Sequence, residues 1–114
     1  MSLRHHAAAA LSAFALIVAL PHSASAATGQ FRYSYETEEG YEAVGFLNSP
    51  RSGQCITLPA VDSDDVPPAH TPRNLTDAPV TVFLDADCEG EVSFTLRPGG
   101  GASERLKLRS VFFG

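Results

Sequence analysis

Histidine and cysteine are scarce in this chain, and their scarcity limits the chemistry that it can perform. Its 114 residues include four histidines, and only His70 lies beyond residue 22. The only cysteines are Cys55 and Cys88. A metal site would need more Cys or His ligands, and a catalytic thiol would have to rely on His70. A loop histidine of this kind is more often exposed to solvent than catalytic. We therefore predict no metal site and no catalytic centre.

Two other catalytic arrangements are also missing. The glycine-rich segment 98–101 is followed neither by Lys-Ser/Thr nor by helix signals, so it is not a phosphate-binding loop. Closely spaced carboxylates occur between residues 85 and 91, but a glycosidase holds two such groups across a cleft, and this chain has little room for one. Aspartates in turns commonly make local hydrogen bonds instead. We therefore expect a protein that is not an enzyme and that uses no cofactor.

Basic residues are outnumbered, since eight Lys and Arg face thirteen Asp and Glu, for a formal net charge of −5. Nucleic-acid binding depends on a basic face that contacts phosphates. Attachment to anionic membranes likewise depends on clustered cations. We therefore expect neither nucleic acid nor a membrane among the partners, and we attribute the acidic balance to solubility.

The N-terminal residues have the order of a secretory signal. Arg4 begins a short basic stretch, residues 7–20 are almost entirely apolar, and small residues occupy 24–26. The apolar run has fourteen residues, whereas a membrane span needs about 20. We predict that residues 1–26 are a signal peptide cleaved before Ala27. The mature protein, residues 27–114, is then secreted.

The two cysteines are expected to form one structural disulfide. Both remain after cleavage, and paired cysteines in an extracellular domain usually form a bridge. A small domain buries a modest core and often needs such a link. Closing a loop of this length stabilises the fold by about 3–4 kcal/mol in the chain-entropy model.

Strand signals dominate the mature chain, whereas helix signals are nearly absent. Phe31, Tyr33 and Tyr35 alternate with polar residues, as in a half-buried strand. A turn at 38–40 separates them from a second extended segment, so a hairpin is predicted. A proline-rich acidic loop is predicted over 59–72. The predicted strands are 31–36, 41–47, 54–58, 80–84, 91–96 and 106–113. The predicted core is Phe46, Ile56, Leu58, Val80, Val82, Leu84, Phe94, Leu96, Leu106, Leu108, Val111 and Phe113.

The segment from Phe83 to Gly90 resembles the βγ-crystallin pattern of aromatic, four residues, aromatic, one residue, glycine, with Cys88 in place of the second aromatic. Ser110 lies in a segment similar to the serine-bearing strand that closes such a Greek key. The resemblance implies a small all-β, single-domain Greek-key sandwich. In it the glycine permits a tight hairpin, and the serine hydroxyl holds the hairpin by a hydrogen bond. The family's calcium sites are not implied, because cations at 105–109 would repel the metal.

A second resemblance covers the whole mature chain. Segments 53–59, 74–76, 83–90 and 106–111 follow one another as in small exported proteins of filamentous actinobacteria. Some of these are similar to the adaptor subunit of umbrella-shaped toxin particles. The resemblance implies a compact β domain whose N-terminal segment docks into the repeat-containing stalk of a larger toxin chain. The domain would also hold a lectin-like subunit.

A protein-binding role is therefore the favoured interpretation. We divide the mature chain into an aromatic N-terminal strand or hairpin, 27–47, and a compact β domain, 48–114. An exposed aromatic strand can add to another protein's sheet or groove, and Tyr is enriched at interfaces. The alternative, that these rings complete the domain's own core, stays open. The predicted partner-binding residues are Phe31, Tyr33, Tyr35, Tyr41 and Phe46.

Two other functions remain as alternatives. The domain could act alone as a βγ-crystallin-like antimicrobial or killer toxin, which predicts growth inhibition by the pure protein. It could also inhibit a protease by presenting the loop 59–72, which predicts protease complexes that survive gel filtration.

Overall fold

Residues 25–114 are described by a computed structural model, and they form two four-stranded antiparallel sheets. The strands are β1 (Gly29–Glu36), β2 (Glu42–Asn48), β3 (Cys55–Thr57), β4 (Ala69–Thr76), β5 (Val80–Phe83), β6 (Ser93–Leu96), β7 (Lys107–Leu108) and β8 (Ser110–Phe113). The first sheet has the order β2-β1-β4-β7 and the second β3-β8-β5-β6. Short 3-10 turns occupy Pro59–Val61 and Ala86–Cys88. The all-β prediction is confirmed for these residues. The predicted signal peptide lies, except for its last two residues, outside them.

The predicted N-terminal hairpin is confirmed. β1 pairs with β2 from Gln30 opposite Asn48 to Glu36 opposite Glu42. The intervening turn is closed by the Thr37 N–H, which donates to the Tyr41 carbonyl at 2.7 Å. Gly40 has a φ of 88°, a left-handed conformation that a residue without Cβ adopts at little cost.

Tyr33 and Gly45 form a cross-strand pair on the inner face of the hairpin. The Tyr33 ring lies where a Cβ on residue 45 would stand, so any larger residue there would collide with the ring. An aromatic side chain covering a cross-strand glycine is a known way to fix strand register. The absence of a side chain at Gly45 is therefore what leaves room for the tyrosine ring against β2.

β4 corrects the prediction of a loop over 59–72. The loop ends at Pro68, and the chain then pairs with β1 from Gly29 opposite Thr76 to Ser34 opposite His70. The register shifts between Arg32 and Ser34, which is where Thr71, with a φ of 52°, precedes Pro72. Where the ladder is irregular, a proline is tolerated, because the N–H that it lacks is not needed for a ladder hydrogen bond. Pro72, the last residue of the predicted loop, therefore lies inside β4.

The predicted C-terminal strand 106–113 is divided at Arg109. β7 pairs with β4 in the first sheet, whereas β8 lies between β3 and β5 in the second. At the break the Arg109 N–H donates to the Phe83 carbonyl at 2.8 Å, and its own carbonyl accepts from the Leu58 N–H at 2.8 Å. The chain thus changes sheets at one residue whose backbone groups stay paired.

The two sheets enclose one core. Phe31 from the first sheet meets Phe113 from the second edge to face, with ring centroids 5.7 Å apart. The prediction that Phe46 and Phe94 belong to the core is wrong, since both side chains are about half exposed on the edge strands β2 and β6. Ile56 and Leu106 are partly buried against the core, and Leu84 is also intermediate. The predicted residues that are buried are Leu58, Val80, Val82, Leu96, Leu108, Val111 and Phe113.

Candidate functional site

The predicted disulfide is confirmed. Cys55 on β3 and Cys88 in the second 3-10 turn are bonded, with their Cα atoms 6.0 Å apart. The bridge attaches the turn that follows β5 to β3, one of the two edge strands of the second sheet. It suits an oxidising environment such as the extracellular space.

Ser110 secures the same turn, as the sequence led us to expect. Its hydroxyl accepts a hydrogen bond from the Cys88 N–H at 2.8 Å and donates one to the Asp85 carbonyl at 2.6 Å. Thr57 contributes from the other side, since its Oγ1 accepts from the Asp87 N–H at 2.9 Å. Gly90 has a φ of 84°, and a Cβ there would collide with the Asp85 carboxylate. These residues build a structural turn.

Asn74 is buried in the middle of the protein and links both sheets. Its side-chain N–H groups are within 3.2 Å of the carbonyls of Ala78, Leu96 and Arg97. Its Oδ1 accepts from the Thr76 hydroxyl at 2.6 Å. Asn74 and Thr76 belong to a glycosylation sequon, but the asparagine has 0 % exposure. In this fold Asn74 therefore serves as an internal crosslink.

His70 departs from the expected exposed loop position. It lies in β4, its side chain is 19 % exposed, and its Nε2 is 3.6 Å from Oε1 of Glu42. Its Nδ1 is 2.7 Å from the Thr71 hydroxyl. In the described part of the chain, no group of three or more His, Cys, Asp or Glu side chains is arranged to hold a metal ion.

The aromatic residues predicted to bind a partner divide into two groups. Phe31 and Tyr33 have 0 % and 4 % exposure and belong to the core, so neither side chain is available on the surface. This corrects the expectation of an exposed aromatic strand. The physical reason is that the face of β1 that carries these rings packs against the second sheet, where Phe31 meets Phe113. Both edges of β1 are also paired, with β2 on one side and β4 on the other.

The remaining aromatic residues lie at the surface. Tyr35 is partly buried and lines an open cleft of about 400 Å³ between the hairpin turn and the loop that follows β3. Tyr41 and Phe46 are 72 % and 50 % exposed. The cleft is bordered by five carboxylates, those of Glu36, Glu38, Glu39, Asp62 and Asp65.

The most exposed apolar side chains of the first sheet lie on or next to β2. Val44 is 53 % exposed, and with Phe46 it faces away from the core. Leu75 on β4 is 41 % exposed and shares that side of the sheet. β2 is an edge strand, so one row of its backbone N–H and C=O groups has no neighbouring strand within the described residues. This combination is typical of a protein-binding surface.

Two arginines share the side of the first sheet that faces away from the core. Arg32 on β1 lies directly opposite Phe46 on one side and Arg73 on the other. Residues paired across neighbouring strands point to the same face. We call this face the outer face; its exposed apolar members and its basic members include Arg32, Val44, Phe46, Arg73 and Leu75, and the same pairing places Gln30, Ser34, Asn48 and His70 on it. Sequence patterns could not reveal it, because its composition depends on the pairing of β1 with β4.

Comparison with known proteins gives no relative: no family model, no curated protein and no solved structure matches the chain. Within residues 25–114, none of the helical segments is long and apolar enough to cross a membrane.

Proposed function

We propose that the chain is a secreted, non-enzymatic protein-binding adaptor that docks through β2 and the outer face. The observation that carries the proposal is the free edge of β2, where Val44 and Phe46, and Tyr41 just before the strand, are all at least half exposed. Soluble domains usually protect an edge strand with lysine, proline or a covering loop. β2 contains neither lysine nor proline, since its sequence is EAVGFLN.

The occupant is an extended segment of a larger secreted protein. Such a segment can pair with the free backbone groups of β2 while its side chains contact the exposed apolar residues. Tyr41 and Phe46 are retained from the predicted binding set because they remain at the surface. Phe31 and Tyr33 act indirectly, by holding β1 and therefore β2 in place.

The proposal also includes the fold family of the domain, its secretion and the identity of its partner. The hydrogen bonds of Ser110 across the disulfide-bearing turn support a βγ-crystallin-like Greek key. The disulfide supports secretion. The resemblance to umbrella-toxin adaptors suggests that the larger partner is a repeat-containing toxin chain and that a lectin-like subunit is also bound.

Affinity capture from the culture supernatant tests the proposal. The wild-type domain should retain a much larger secreted chain, and Phe46→Lys should lose it, because a charge would enter the apolar contact. Phe94→Lys is the matched control, since Phe94 is 54 % exposed on β6, an edge strand of the other sheet. Equal capture by the wild type and both variants would refute docking at β2. Growth inhibition by the pure domain would instead favour a free-standing toxin.

A second function, protease inhibition, is favoured by one observation. The loop between Pro59–Val61 and β4 is braced by Arg109, whose Nη1 and Nη2 donate to the carbonyls of Val61, Ser63 and Val66 at 2.7–3.0 Å. A pre-organised loop is what a tight protease inhibitor presents. Protease complexes that survive gel filtration for the wild type, and vanish when residues 62–65 are replaced, would establish this function.

A further inference from the structure

The hydrogen bonds at the two ends of the hairpin show which backbone groups of β2 are free. Just before the strand begins, the Thr37 N–H donates to the Tyr41 carbonyl at 2.7 Å. Just after it ends, the Ser49 N–H donates to the Gly29 carbonyl, also at 2.7 Å. Both pairs continue the β1–β2 register, and hydrogen-bonded pairs alternate along an antiparallel ladder. The odd-numbered residues of β2 therefore bond to β1, whereas the even-numbered residues direct their N–H and C=O groups to the open edge.

This edge is accessible from outside the domain. Among the described strands only β1 pairs with β2. The core-facing residues Ala43, Gly45 and Leu47 are only partly buried, so the second sheet ends close to β2 and does not extend beyond it. The even-numbered residues are all exposed. The same residues thus offer both their backbone groups and their side chains to another strand.

The sequence of β2 is complementary to itself when two copies run antiparallel. The register centred on Gly45 pairs all seven residues of each strand, and it matches the outward-directed backbone groups of one copy with those of the other. Val44 then lies opposite Phe46 of the second copy, and Phe46 opposite its Val44. Pairs of an aromatic and a β-branched side chain stabilise neighbouring strands.

The polar groups at the two ends of β2 match in the same register. Glu42 lies opposite Asn48 of the second copy. The Asn48 Oδ1 accepts from Gln30, and none of the described residues accepts from its Nδ2, so this amide can donate to the carboxylate. The acidic turn that carries Glu39 lies towards the end of β2 that Arg51 follows in the second copy. Within the described residues neither Glu39 nor Arg51 is in an ion pair, and opposite charges across an interface fix its register.

We propose that a second copy of this chain pairs with β2, in an antiparallel two-fold dimer centred on Gly45. The first sheets of the two copies become one continuous sheet, and the two open edges protect each other. The free protein is then a dimer, and the partner segment competes with the second copy for the same edge. This competition rests on the proposed function, whereas the dimer goes beyond it.

Sedimentation equilibrium and amide exchange test the dimer on the disulfide-bonded protein. The mass should change from monomer to dimer as the concentration rises, with a dissociation constant on the order of 10 µM, as for a small interface. Over the same range the amides of Val44 and Phe46 should become protected from exchange in ¹⁵N spectra. A monomer at concentrations up to about 1 mM would overturn the proposal, as would a dimer in which both amides exchange as fast as in the monomer.

Proline substitutions at two open edges locate the interface. Val44→Pro removes an outward-directed N–H that β1 does not use, so it should weaken the dimer about tenfold and leave the monomer folded. Ser93→Pro is the matched control on β6. The Leu84 N–H donates to the Val92 carbonyl, so by the same alternation the Ser93 N–H points away from β5. This control should dimerise like the wild type, and equal weakening by both prolines would overturn pairing at β2.

Charge reversal tests the register without altering the strand. Arg51→Glu should weaken the dimer about fivefold, since two symmetric contacts are lost. Adding Glu39→Arg to the same chain should restore it, which a folding defect could not imitate.

Capture of the larger chain separates the dimer from the proposed function. If the protein dimerises through β2 but Phe46→Lys captures as much of that chain as the wild type, the proposed function fails and the dimer stands. If the protein stays monomeric while Phe46→Lys loses the larger chain, the dimer is wrong and docking at β2 stands.

Discussion

Tyr33 couples the stability of the fold to alkaline pH. Burial raises the pKa of its hydroxyl, and the neighbouring Tyr35 raises it further. The neutral form is therefore favoured in the folded state, and the stability that it contributes is fully present below the unfolded pKa of about 10. This stability is lost as the pH rises from there through the higher folded pKa. We expect the urea midpoint to fall between pH 9 and pH 11, and to fall less steeply in Tyr33→Phe, which keeps the ring.

Tyr41→Phe is the control for this titration. Tyr41 is exposed, so its removal should leave the pH dependence of the urea midpoint as it is in the wild type. A decline in Tyr33→Phe as steep as in the wild type would show that another group causes the alkaline loss of stability.

The second prediction about a single residue concerns the buried side chain of Asn74. Asn74→Ala removes the donor to the carbonyls of Ala78, Leu96 and Arg97 and the buried acceptor for Thr76. We expect a loss of roughly 2–4 kcal/mol in the free energy of unfolding, because several buried polar groups lose partners. Urea unfolding at neutral pH measures it. Asn48→Ala is the control: its Oδ1 accepts a single exposed hydrogen bond from Gln30, so its effect should stay within about 0.5 kcal/mol. Similar losses in both variants would contradict the role given to Asn74.

At the scale of elements, the sequence predicted the hairpin and missed β4, for opposite reasons. The hairpin is encoded locally, by alternating aromatic residues and a glycine-bearing turn. β4 depends on a register shift beside Pro72 that the neighbouring strand makes possible. The break at Arg109 is likewise invisible in the sequence, because 106–113 contains no glycine or proline to mark it, although its two halves belong to different sheets.

The loop braced by Arg109 provides an element-scale prediction. Arg109→Lys cannot satisfy all three carbonyls with the same geometry. We expect an aspartate-specific protease to cut the variant faster within 62–65, since the loop would open more often. The cut lies between Cys55 and Cys88, so the two fragments should separate only after reduction. Arg105→Lys, at an exposed position outside the brace, should be cut at the wild-type rate; faster cutting in that control would show that the brace is not responsible.

For the whole molecule, alternating aromatics could not distinguish a core strand from a binding strand, because both show the same period. What decides is the packing of the second sheet against the aromatic face of β1, where Phe31 meets Phe113. The outer face was hidden for the same reason: Arg32 and Arg73 are 41 positions apart in the chain, and only their strand pairing makes them neighbours. Composition and cysteine spacing, by contrast, were sufficient for the all-β class and the disulfide.

The predicted division at residues 47 and 48 leads to a last test. β1 pairs along β4, and Phe31 packs on Phe113, so the hairpin is part of the single core. We expect a chain beginning at Asn48 to lack cooperative thermal unfolding and dispersed NMR signals, because β4 and Phe113 would lose their cover. A chain beginning at Ser25, which keeps every described residue, is the control and should unfold cooperatively. Adding a synthetic peptide of residues 25–47 to the shortened chain should restore part of the dispersion of its NMR signals. Cooperative unfolding of 48–114 alone would instead show that the hairpin is an appendage.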